Sequence, residues 1–185
     1  SSNDLVTGQD PVTFEDVHFN GNVLTLGSTS THLKLNEPLY LDGIALETGA
    51  GSLTLSGALA LSNGAALNSS GGTITLGSGA SAPSGTTISL PDTTLVLQSA
   101  LALSGATLKT KKTTFTTNAN ALTLSGGILE VEGTQDLSGV LPDNSTTLRL
   151  AADSTIDDNA SLSVGTLDLA NFALTLDDAM AGLSI

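Results

Sequence analysis

The chain contains no cysteine and no tryptophan, a single methionine, and only five Lys or Arg residues against 18 Asp or Glu. Each shortage excludes something. Without cysteine there is no disulfide framework and no thiolate metal site, although this says nothing by itself about compartment. Five cations cannot neutralise a run of phosphates, and a net charge of −13 repels them, so nucleic acid is excluded as a partner and anionic membranes are disfavoured. No segment has the uninterrupted apolar length that a bilayer span needs, and no basic-then-apolar signal opens the chain, so this segment is not expected to insert into a membrane. Charge is scarce overall, at 12% of residues, yet aliphatic residues recur at regular spacing and can form a dry interior, which disordered chains cannot do. The chain starts at Ser1 without Met and stops at Leu183-Ser-Ile185, part-way through a repeat, and the expectation is a piece of a larger surface protein.

What the sequence has instead is a period. The phrase LALSGATL from Leu101 returns as LTLSGGIL from Leu122, 21 residues later. Leu53-Thr-Leu55, Ile74-Thr-Leu76 and Leu95-Val-Leu97 are successive copies at the same offset, and Leu141, Leu162 and Leu183 continue it. A fixed period of this size marks supersecondary units that bury their apolar faces only against their neighbours. Within each period up to three apolar-x-apolar doublets are separated by Gly, Asn, Ser, Asp or Thr. Alternate side chains of a strand point to opposite faces, so both apolar members point inward and the middle residue outward. Lys34, Tyr40, Arg149 and Asp168 are the larger middle residues.

Three short strands and three turns then make one coil. The first coil is Val12-Thr-Phe14, Val17-His-Phe19 and Leu24-Thr-Leu26. Roughly eight and a half coils, stacked about 4.8 Å apart, give a rod on the order of 40 Å long. The fourth coil is expected to be the most irregular, because SGASAPSG, with Pro83 and Gly85, reads as a loop or weak strand. A helical reading fails, since residues i and i+2 do not share a helix face and Thr, Val, Ile and Gly are poor helix formers. A sandwich would not need copies at a fixed offset, and a hexapeptide solenoid would use a strict sixfold rhythm. The expected fold is therefore all-β: a single domain over residues 1–185, a parallel β-solenoid in the form of a right-handed, three-faced β-helix with about 21 residues per coil.

The L-x-L-x-x-G-x-L phrases at Leu101, Leu122 and, with one extra residue, Leu59 resemble the β-helical passenger domains of bacterial autotransporters and filamentous-haemagglutinin-like adhesins. The resemblance covers residues 12–185. It implies a non-enzymatic stalk of a cell-surface or secreted protein whose partner is a glycan or protein on a host or neighbouring cell. Phe19-Asn-Gly-Asn22 and Phe115-Thr-Thr-Asn118 are similar to the FxxN tetrapeptides of chlamydial polymorphic membrane proteins, but Gly71-Gly-Thr-Ile74 and Gly126-Gly-Ile-Leu129 lack the Ala of the accompanying GGA motif.

Candidate sites are few. His18 and His32 lie on different strands, with no Cys or second His beside them, so they read as surface residues. Asp153, Asp157, Asp158 and Asn159 would offer oxygen ligands to calcium if a turn gathered them. Their spacing fits neither an EF-hand nor the GGxGxDxUx repeat, and a solvated acidic face is the favoured reading. No cofactor or metal site and no catalytic residues are assigned. A polysaccharide-binding or polysaccharide-cleaving β-helix, including the phage tailspike type, is the alternative from another class, but scattered acids and almost no cations argue against cleavage. Outward threonines, Thr54, Thr75 and Thr117 on one face, raise an ice-binding solenoid as a minor alternative, with Val96 interrupting the column. The remaining candidate is electrical. Lys109, Lys111 and Lys112 are three of the five basic residues and read first as a solvated turn, with a contact for an anionic glycan or an acidic partner as the sharper alternative.

If coils are interchangeable in cross-section, excising Leu101 to Ala121 places Leu122 where Leu101 had been. The shortened protein is expected to stay β-rich and to melt cooperatively, whereas a ten-residue excision within the same span is not. Circular dichroism melts of the two deletions check this, and equal behaviour would replace the solenoid with a sandwich.

Overall fold

The computed structural model describes residues 32–36, 38–157, 161–177 and 182–185, together with the backbone of three earlier strands, Val12–Phe14, Val17–Asn20 and Leu24–Thr25. Among the described residues there are strands and turns but no helix. The strands fall into three long parallel sheets visited in rotation. Sheet A gathers Val12–Phe14, His32–Leu35, Ser52–Leu55, Thr73–Leu76, Thr94–Leu97 and Thr114–Thr116. Sheet B gathers Val17–Asn20, Leu39–Asp42, Leu59–Ser62, Ala80–Pro83, Leu101–Ser104, Leu122–Ser125 and Val140–Pro142. Sheet C runs from Leu24–Thr25 through Ala45–Gly49, Ala66–Ser69, Thr87–Pro91, Thr107–Lys111, Ile128–Gln135 and Thr147–Ile156 to Thr166–Asp168. Seven coil-to-coil steps along sheet C are seven turns of a β-solenoid, and strands on either side of that path extend the stack.

Period and alternation translate directly into packing. In sheet A, Leu33, Leu53, Ile74, Leu95 and Phe115 form one inward column, joined in register at offsets of 20 or 21 residues. Leu101 pairs with Leu122 in sheet B, and Leu108 with Leu129 in sheet C, both 21 apart. Leu53, Leu55, Ile74, Leu95 and Leu97 are essentially without solvent exposure, while Thr54 and Thr75 between them face out. Each such Leu or Ile contributes about 1.5–3 kcal/mol by leaving water, but only once the coils above and below are in place.

The corners between sheets are polar and buried, and side chains there serve the turns. Thr93 donates through Oγ1 to Ser69 Oγ at 2.9 Å, and Thr113 through Oγ1 to the Leu90 carbonyl at 2.6 Å. Gln135, one coil on, donates from Nε2 to the Thr113 carbonyl at 2.6 Å and accepts the Thr113 N–H through Oε1 at 3.2 Å. The bonds of Thr113 and Gln135 satisfy backbone groups that a turn leaves unpaired and that would be costly to bury alone. Glycine is required where coils approach closest. Gly72 has a left-handed φ of 69° and lies over the Gly51 carbonyl, and a side chain at Gly127 would collide with the Ala106 carbonyl oxygen.

Two sequence expectations are corrected. The SGASAPSG segment is not the irregular coil: Ala80–Pro83 forms a regular strand with Ala80 and Ala82 buried, in register with Leu59 and Leu101. Small inward residues keep the alternation, so the strand survives its proline. Irregularity falls later, where Leu122 pairs with Val140 and Leu129 with Leu148, offsets of 18 and 19. This shortening turns Val140 and Pro142 inward and leaves Leu141 50% exposed, the opposite of its expected place, because a one-residue slip exchanges the faces of a strand. Nearby, Ile128–Gln135 and Thr147–Ile156 run through what is a corner in earlier coils, with a register shift between Val131 and Gly133.

The alternation is tested by charge. Leu103 is buried and Ala102 exposed on the same strand. Leu103→Asp leaves an uncompensated buried carboxylate and is expected to cost on the order of 3–5 kcal/mol, whereas Ala102→Asp is expected to cost within about 0.5 kcal/mol. Urea melts of both variants measure the difference.

Candidate functional site

Sheet C carries the charged face. Its central outward file runs Glu47, Asn68, Ser89, Lys109, Glu130, Arg149 and Asp168, each beside the next in adjacent strands. Asn68 donates from Nδ2 to Glu47 Oε1 at 2.7 Å, Lys109 pairs with Glu130 at 3.1 Å, and Arg149 Nε donates to Asp168 Oδ2 at 3.1 Å. A second file places Pro91, Lys111 and Glu132 side by side, with Lys111 paired to Glu132 at 2.5 Å. A shallow cavity of about 110 Å³ lies over these two files, lined by Ser89, Pro91, Lys109, Lys111, Glu130 and Glu132 among others.

The lysine cluster expected from sequence is therefore divided. Lys109 and Lys111 project from one strand and are each matched by a glutamate of the next coil. Hydrogen bonding to Glu132, reinforced by its charge, holds the Lys111 pKa above its ordinary value. Lys112 sits at the following turn with a left-handed φ of 49° and makes no ion pair among the described residues. The sequence signal for this pairing was available: Glu130 and Glu132 follow Lys109 and Lys111 at the period of 21.

Sheet A presents hydroxyls. Thr54 and Thr75 are neighbours in its central outward file, but Thr116, not Thr117, continues that file beyond Val96, because Leu95 pairs with Phe115 at an offset of 20. A second outward file, unnoticed in the sequence because it lies outside the doublets, runs His32, Ser52, Thr73, Thr94 and Thr114. His32 is exposed, whereas the His18 side chain lies outside the described residues.

The acidic candidates do not converge. Asp153 Oδ1 accepts the Ala173 N–H at 2.9 Å, tying two coils together, while Asp158 and Asn159 lie outside the described residues. Among the described residues no three His, Asp or Glu side chains gather as a metal would require. The best-furnished carboxylates sit instead where sheet B strands end, Asp42 as the last residue of its strand and Asp143 just after its own. Asp42 Oδ1 accepts from Ser62 Oγ at 2.8 Å and Asn63 Nδ2 at 2.5 Å. Asp143 Oδ1 accepts from the Ser145 hydroxyl at 2.6 Å and the Ser145 N–H at 2.9 Å, beside an open depression lined by Pro142, Asn144, Ser145 and Ser163.

Hydrogen bonds from Ser145 and then Ser125 hold Asp143 well below the usual carboxylate range. A depressed folded-state pKa stabilises the fold above the unfolded value of 3.8, and that contribution is lost as pH falls through the lower folded value. Asp143→Asn is therefore expected to flatten the acid-side loss of stability, measured by urea melts from neutral pH downward, and to lower stability slightly at neutral pH.

No protein-family model, curated protein or solved structure matches this chain.

Proposed function

We propose that this chain is a non-enzymatic stalk segment of a bacterial cell-surface or secreted adhesin, holding binding surfaces at a distance along a β-solenoid. The observation that carries the reading is the continuity of the stack: apolar columns pass from coil to coil, and buried polar groups such as Thr93, Thr113 and Gln135 are spent on the turns. Such a body is stiff and extends by adding coils. The L-x-L-x-x-G-x-L phrases support the same reading. On sheet C, the pairing of Lys109 and Lys111 with glutamates favours a self-neutralised ladder over an anion-binding patch.

A glycan array separates these possibilities. The protein and its Lys109, Lys111 and Lys112→Ser variant are expected to bind acidic and neutral glycans equally poorly at low and moderate salt. The two are also expected to melt at nearly the same temperature, since exposed ion pairs contribute little. Salt-sensitive binding lost in the triple variant would overturn the plain stalk and place a glycan site on the lysines. Release of shortened sugars would overturn the non-enzymatic reading.

A further inference from the structure

From the hydroxyl face of sheet A we infer that this solenoid binds ice. Over four consecutive coils the outward pairs are Ser52 and Thr54, Thr73 and Thr75, Thr94 and Val96, and Thr114 and Thr116. Seven of these eight side chains bear a hydroxyl, and the eighth, Val96, has the shape of Thr with a methyl in its place. Parallel register fixes the array in two dimensions: about 4.8 Å between coils and about 6.6 Å between the two files of one strand. The spacing between coils is close to the shorter oxygen repeat of ice, and the spacing between files is somewhat below the longer one.

Three further observations point the same way. Among the described residues none of the seven hydroxyls has a hydrogen-bond partner, although the inward threonines Thr48, Thr86, Thr93, Thr110, Thr113 and Thr146 all do. The donors and acceptors of this face are therefore free for water. The four coils also carry no charge on this face, in a chain of net charge −13 whose sheet C is laced with ion pairs. A charged group would hold its own hydration shell and disrupt an ordered water layer, and Lys34 and His32 appear only in the preceding coil. Finally, seven of the eight side chains, all but Ser52, are β-branched with restricted χ1, so most hydroxyl and methyl positions are set before binding and little entropy is lost on contact. An uncharged array of methyls and hydroxyls without an aromatic platform suits ordered water better than a sugar chain. This inference does not depend on the stalk reading, since a rod could serve as a stalk with or without an active sheet A.

The test is thermal hysteresis and inhibition of ice recrystallisation by the purified chain. Activity is expected for the wild type, with a several-fold loss in Thr75→Tyr, which lifts the centre of the array off the lattice. No loss is expected in Ala102→Tyr, an outward residue of sheet B. Circular dichroism melts verify that both variants fold. Should Thr75→Tyr fail to do so, Thr116→Tyr, at a more exposed position, takes its place. Inactive wild-type protein would overturn the inference, as would equal losses in the sheet A and sheet B variants. Retention by crystalline cellulose or chitin with no effect on ice would overturn it too and assign the face to a polysaccharide.

Discussion

Everything in this molecule depends on the burial of apolar columns that no single coil can bury for itself. A coil of about 21 residues has three short strands, each offering two inward side chains, and its interior is one layer thick. Leu53 is dry because Leu33 and Ile74 lie in the strands on either side of it. Stability is thus a sum over neighbouring contacts, and the period is the property that makes those contacts repeat.

The second constraint is the turn. Three corners per coil leave backbone groups inside a narrow body, and the chain answers with inward Thr, Ser and Gln in place of a further aliphatic residue. Thr113 and Gln135 show the economy of this arrangement, since two side chains on successive coils satisfy an N–H and two carbonyls between them. Because those groups are committed to the fold, chemistry is left to the outward residues. These segregate by sheet into a charged ladder on C and, over the four coils after Lys34, an uncharged hydroxyl array on A. That segregation follows from register, as parallel strands in a near-constant period place like positions of successive repeats side by side.

Much of this was legible in the residues alone. Period, doublets and turn residues were enough to specify parallel strands, three faces and most of the core, because inward and outward positions follow from alternation and a constant offset. Lys109 and Lys111 were legible as a cluster, and their glutamate partners could have been found by applying the same offset to the charged residues. Two local readings failed for physical reasons. Ala80 and Ala82 are apolar enough to keep a strand whose Gly and Pro content suggested a loop, and the 18-residue step before Val140 turned Leu141 outward where the ideal period had it inside.

By itself, then, the sequence determined the repeating unit, since hydrophobic periodicity is a local property written in every copy. The tertiary structure alone decided what meets across coils. One-residue variations in coil length brought Thr116, not Thr117, into line with Thr54 and Thr75, and set Ser52, Thr73, Thr94 and Thr114 beside them as a second file. Such register differences accumulate through turns whose lengths are fixed by packing and hydrogen bonding with the neighbouring coil. No single repeat contains that information.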